Sequence, residues 1–160
     1  MNINTFFSKS RHLLTVLLLL ASAAQAEGDK SLEATNTALV QQAFENWQQG
    51  TGSVFDLLTD DAVWTVAGVS PVSATYGSKQ ALVEGAVNPI HARLQTSIAP
   101  TVKHLIAQGE SVVVLWDGTA TAVDGSRYDN SYAWHLVMRD GRITQVTAFL
   151  DTWALVELMN

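Results

Sequence analysis

Cysteine is absent from all 160 residues. Disulfides, thiol nucleophiles and thiolate-held metals are therefore excluded, and a domain without cross-links must rely on its hydrophobic core. Basic side chains are scarce: 9 Lys and Arg stand against 15 Asp and Glu, for a net charge of −6. That balance argues against nucleic acid and anionic membrane surfaces as partners. Metal-ligand spacing is missing from the His, Asp and Glu residues, and so are a P-loop, a dinucleotide fingerprint and a nucleophile elbow. Neither a metal nor a cofactor is expected.

The first 26 residues read as an export leader. Lys9 and Arg11 precede an apolar run from Leu13 to Ala24, and Ala24-Gln25-Ala26 supplies a small-x-small cleavage pattern. The run is shorter than the roughly 20 residues of a membrane span. Cleavage after Ala26 would release residues 27–160 as one soluble domain, periplasmic or secreted. The leader carries no acidic residue, so its removal makes the protein more negative.

Apolar positions Leu32, Leu39, Val40, Ala43, Phe44 and Trp47 recur at three- and four-residue spacing, which predicts an amphipathic helix ended by Gly50. A short helix over 53–58 and a strand over 62–66, carrying Trp64, follow. Residues 68–77 read as a loop, and Ser78 caps a helix to Val87. Pro89 would break that helix, so a separate short one is expected over 89–95. Strands are predicted over 102–107, 112–122, 127–138 and 142–151, with an apolar tail over 153–159 packing back on the domain. Helices first and an antiparallel sheet afterwards define an α+β fold.

Two Asp-Gly pairs, Asp124-Gly125 and Asp140-Gly141, are strong hairpin signals. A two-residue turn at Asp140-Gly141 makes Trp134 face Thr147, Tyr132 face Phe149 and Asn130 face Asp151. Treating Asp124-Gly125 alike places Leu115 and Asp117 beside Trp134 and Tyr132. A one-residue slip there would instead bring Trp116 inward and turn Asp117 out. The expected face combines Val113, Leu115, Tyr132, Trp134, Leu136, Met138 and Phe149, and it grades into Asp117, Asn130 and Asp151. His135 lies on the opposite, flatter face, which could be exposed or join subunits.

An apolar face with a few convergent polar groups is the usual form of a small-ligand pocket. Asp151 is its candidate acid or base, with a desolvated carboxylate suited to proton transfer. The bland reading makes Asp151 a cap at a strand end, and Asp117 likewise a surface residue. Asn130 could orient a ligand or tie a strand edge. Tyr132 and Trp134 could be ligand platforms, core packing or both. His91 could reach the pocket mouth or lie on the surface beside Arg93.

The chain resembles SnoaL-like, ketosteroid-isomerase-related proteins of the nuclear transport factor 2-like superfamily. The similarity rests on Trp47-x-x-Gly50, the segment Leu57 to Trp64, Thr75-Tyr76-Gly77-Ser78-Lys79, Tyr128-x-Asn130-x-Tyr132-x-Trp134, and Gly141-Arg142-Ile143 with Asp151 eight residues on. It implies a cone, in which a curved antiparallel sheet wraps around three helices and leaves a pocket at the open end. The catalytic Asp of the steroid isomerases corresponds to Val66, and their oxyanion-hole Tyr falls near Ala43. Their second oxyanion donor falls around Trp134 or His135. The resemblance thus implies no ketosteroid isomerase activity, and the cyclase-type acid/base Asp matches Asp151. Two hypotheses follow. One is a lyase, isomerase or hydrolase acting on a small apolar substrate through Asp151, with Asn130, Tyr132 or Asp117 orienting it. The other is a non-catalytic binder of a hydrophobic ligand, homodimeric through the flat face.

Overall fold

The computed structural model describes residues 4–160, with side chains from residue 25 onward. The charged and apolar parts of the expected leader thus lie outside the described side chains. Among the described residues no helix is long and apolar enough to cross a membrane.

Helix α1 spans Asn4–Gln49 and buries Val40, Ala43 and Phe44, three residues of the predicted apolar stripe. It stops where expected. Gly50 takes φ 70°, its N–H bonds to the Trp47 carbonyl at 3.0 Å, and Thr51 N–H reaches the Asn46 carbonyl at 2.9 Å. This is the glycine-dependent closure that satisfies the last helical carbonyls. A 3-10 turn, Val54–Leu57, leads to β1, Leu58–Val66. Part of the predicted loop is a short strand, β2, Ala74–Tyr76, paired antiparallel with β1.

Pro89 does not begin a separate helix. Helix α2, Lys79–Leu82, runs through a π-helical turn, Val83–Val87, straight into α3, Asn88–Ala92. In the wider turn Asn88 N–H bonds to the carbonyl five residues back, at Val83. That shift moves the next carbonyl away from the proline, which lacks an N–H and would clash in a regular helix.

Four long strands follow: β3 Ala99–Gln108, β4 Ser111–Thr121, β5 Arg127–Arg139 and β6 Arg142–Leu150; helix α4, Thr152–Met159, ends the chain. The sheet order is β2-β1-β6-β5-β4-β3. Every pair is antiparallel except β1 and β6, which run parallel. Bulges interrupt the register in β3 and β6, and such insertions bend and twist a strand. The result is the expected α+β cone, a curved and unclosed sheet with its core on the concave side.

Both hairpins refine the predicted register. Asp140 and Gly141 have φ 50° and 74°, as a two-residue turn requires. Arg139 pairs with Arg142 and Met138 with Ile143, but a bulge then shifts the strand so that Trp134 faces Ala148 and Tyr132 faces Leu150. At Asp124-Gly125 the loop holds three residues: Gly125 N–H returns to the Ala122 carbonyl, and Ala122 N–H bonds to the Ser126 carbonyl. Gly125, at φ 85°, takes the left-handed position of such a loop. The extra residue produces the slip, and Trp116 faces Tyr132.

Candidate functional site

Period-two alternation then selects the inner face. Val112, Val114 and Trp116 of β4 are buried with Tyr132, Trp134, Leu136 and Met138 of β5. Because Trp116 and Tyr132 are cross-strand partners, their rings stack, with centroids 3.9 Å apart and planes 7° from parallel. Trp134 stands nearly perpendicular to Trp64 and to Trp116, at centroid distances of 4.8 and 4.7 Å. Stacked and edge-to-face pairs of this kind stabilise beyond the area they bury.

Within this aromatic cage lies a cavity of about 90 Å³. That is several times the roughly 10–15 Å³ in which one water fits. Trp47, Phe55, Trp64 and Trp134 line it together with the Trp116–Tyr132 stack. The π-turn and α3 contribute Ala86, Val87, Ile90 and the exposed His91, while Leu155 of α4 lines it from the C-terminal side.

The polar end of the cavity comes from β5. The Tyr128 and Tyr132 hydroxyls lie 2.9 Å apart, and Asn130 Nδ2 donates to Tyr128 Oη at 3.0 Å. Asn130 also holds the Asp151 backbone: Nδ2 donates to its carbonyl at 2.9 Å and Oδ1 accepts its N–H at 3.1 Å. Burial raises the pKa of both tyrosines, so both phenols stay protonated.

The cavity therefore gathers Trp64, Tyr132, Trp134 and His91, with buried Asn130 directly behind. Three candidate site residues change place. Phe149 is 53% exposed on the outer face, because the β6 bulge turns Val146, Ala148 and Leu150 inward. Asp117 lies outside too, bound to Lys103 Nζ at 3.0 Å and accepting from Ser131 Oγ at 2.8 Å. Those two contacts, the Ser131 hydrogen bond first, lower its pKa. Asp151 caps α4: its carboxylate accepts from Trp153 N–H at 2.9 Å and Ala154 N–H at 3.3 Å, and the residue is exposed. Val113 and Leu115 follow Asp117 outward, and His135 sits on that outer face bonded to Ser111.

Trp116 reaches the cavity through the one-residue slip, and Tyr128 lines it as well. Tyr128, Asn130, Tyr132 and Trp134 alternate at period two, a signal sufficient to place Tyr128 on the same face. Among the described residues no His, Asp and Glu cluster could hold a metal ion.

The SnoaL-like domain family matches residues 40–146. The chain belongs to that family. A nuclear transport factor 2-like protein of unknown function from Burkholderia pseudomallei has a similar fold, with TM-score 0.66, 22% identity, and 79% of this chain and 98% of that one covered. So has a Jannaschia protein assigned as a SnoaL-like polyketide cyclase, with TM-score 0.63, 13% identity and coverage of 80% and 93%. A Rhodopseudomonas palustris protein assigned as an isomerase gives TM-score 0.58, 18% identity and coverage of 77% and 94%. No curated protein matches the sequence. At these identities the likeness is one of fold.

Proposed function

We propose that this SnoaL-like protein is exported, binds a small and mostly apolar molecule inside its cone, and acts on it as an isomerase or cyclase. The cavity carries the reading: an aromatic enclosure with two tyrosine hydroxyls at one end and an imidazole at its mouth. The cyclase and isomerase assignments of the two structural relatives support the reaction class. The leader pattern of residues 1–26 supports export, and a mature N-terminus at Glu27, found by mass spectrometry, is the expected result.

Proton transfer in this reading falls to His91. It is the one imidazole lining the cavity, and imidazole is the side chain most often used as a general acid or base. The tyrosine hydroxyls bind and orient. The acid/base role expected of Asp151 passes to His91, because the Asp151 carboxylate is engaged by α4.

Two substitutions separate the roles. Asparagine caps a helix as well as aspartate but cannot accept a proton. Asp151→Asn should therefore retain turnover, while His91→Gln should lower kcat by about 10²-fold or more with little change in KM. The opposite pattern would return catalysis to Asp151. Binding without turnover in the unaltered protein would favour the non-catalytic binder.

A further inference from the structure

We propose that the cavity and a groove between the π-turn, α3 and α4 are two parts of one binding site. The molecule bound there is elongated, with a compact ring in the aromatic cage and an uncharged alkyl tail of several carbons in the groove. The proposal rests on the small-molecule reading above and adds the shape and chemistry of the ligand.

The groove has a volume of about 340 Å³, and Pro71, Val72, Tyr76, Pro89, Val156 and Met159 line it. Its wall is built by β2 and the π-turn together. Tyr76 lays its ring against Gly85, where a Cβ would stand 2.7 Å from the Tyr76 Cε1 atom. Its hydroxyl donates to the Gly85 carbonyl at 3.5 Å. From the other side, Val72 and Met159 pack on the small cluster of Leu155, Ala120 and Tyr128.

Val66, Ala86, Ile90 and Leu155 line both the cavity and the groove. They form a partition one side chain thick. All four side chains are aliphatic, so turning Ile90 or Leu155 to another rotamer breaks no side-chain hydrogen bond.

Size makes that partition matter. The cavity holds about 90 Å³, whereas benzene occupies an apolar cavity of roughly 150 Å³. A ring-sized ligand therefore needs more room than the closed cage offers. On the sheet side the cage is shut by the Trp116–Tyr132 stack and by Trp134 perpendicular to it, all buried. Moving those rings would disrupt a close-packed core. Across the partition the obstacle is four aliphatic side chains, and open groove lies beyond them.

The lining also selects the tail. Neither the cavity nor the groove is lined by Asp, Glu, Lys or Arg. A charged tail would lose water without gaining a partner. A sugar-like or peptide-like tail would find few free polar side chains, since the Tyr76 hydroxyl is already bonded to Gly85. An alkyl tail needs none, and each methylene it buries is favourable.

The test titrates the purified protein with 4-methylphenol, 4-butylphenol and 4-hexylphenol, followed by NMR. Affinity should rise about fourfold for each added methylene. In the unaltered protein, NOEs should join the ring to Trp64 and Trp134, and the terminal methyl of 4-hexylphenol to Val156 and Met159. Val156 lines the groove and not the cavity. Val156→Glu should therefore cut the hexyl-to-methyl affinity ratio by about tenfold or more. The NOEs decide independently of how that variant folds. Affinity that levels off at 4-methylphenol, an unchanged ratio in the variant, or a terminal methyl in contact with other residues would overturn the extended site alone. If none of the three phenols bound, the small-molecule reading would fall with it.

Discussion

Asn130 shows how one buried polar residue joins local structure to the site. Its amide pairs with the Asp151 backbone, where β6 gives way to α4, and its spare proton reaches the tyrosine pair. The two tyrosines also make a pH prediction. Burial raises their folded-state pKa above the unfolded value of about 10. Stability from this source is complete below about pH 10 and is lost above it, where the unfolded chain releases phenolic protons more readily than the folded one. Urea denaturation from pH 8 to 11 should therefore show a fall in stability that is weaker in the Tyr128→Phe/Tyr132→Phe variant. At the acid end, the lowered pKa of Asp117 and of Asp124, the latter hydrogen-bonded by Ser126, acts in the opposite direction. Their contribution is present above the unfolded pKa and disappears as pH falls through the folded one; both groups are at the surface, where solvent screens them.

The hairpins and the β6 bulge decide which side chains reach the site. In a strand, a shift of one residue exchanges the two faces completely. Trp116 entered the cage and Asp117 left it because the Asp124-Gly125 loop has three residues rather than two. The bulge after Ile143 did the same to Phe149 and Ala148. Stability measurements check this register. Phe149→Ser should change unfolding free energy by no more than about 0.5 kcal/mol, as surface exchanges usually do. Trp134→Ala should cost about 3–5 kcal/mol, as for a large buried aromatic. Comparable losses from the two would mean that Phe149 is buried after all.

At the scale of the molecule, the cone needs something to close it. The aromatic sheet supplies the walls, while the π-turn, α3 and α4 supply the mouth. Leu155 is the buried anchor of α4, and the helix begins at the Asp151 cap held by Asn130. Deleting residues 152–160 should leave the sheet folded, since those residues form none of its strands. Ligand dissociation should become faster, as measured by NMR line shape or stopped flow; an unchanged rate would show that α4 does not gate the cavity. Phe149 is exposed on the outer face, and sedimentation velocity of the unaltered protein and of the Phe149→Ser variant tests the homodimer expected from the sequence.

Much of this architecture could be read directly from residue order. Helical spacing from Leu39 to Trp47, the stop at Gly50, the Ser78 cap and the turn at Asp140-Gly141 each depend on neighbours within a few positions, so local chemistry alone determined them. The same holds for Tyr132 and Trp134 sharing a face with Asn130. Tertiary structure decided the rest. An Asp-Gly pair suits both a two- and a three-residue loop, and the choice between them set the fates of Trp116 and Asp117. The bulge in β6 lies where the strand also meets β1, a partner more than eighty positions away, which no local pattern contains. Whether Asp151 would be a pocket acid or a helix cap depended on that shift and on α4 folding back. The site was legible as an aromatic face with Asn130 and Tyr132; the hold of Asn130 on the Asp151 backbone emerged only when β5 met the end of β6.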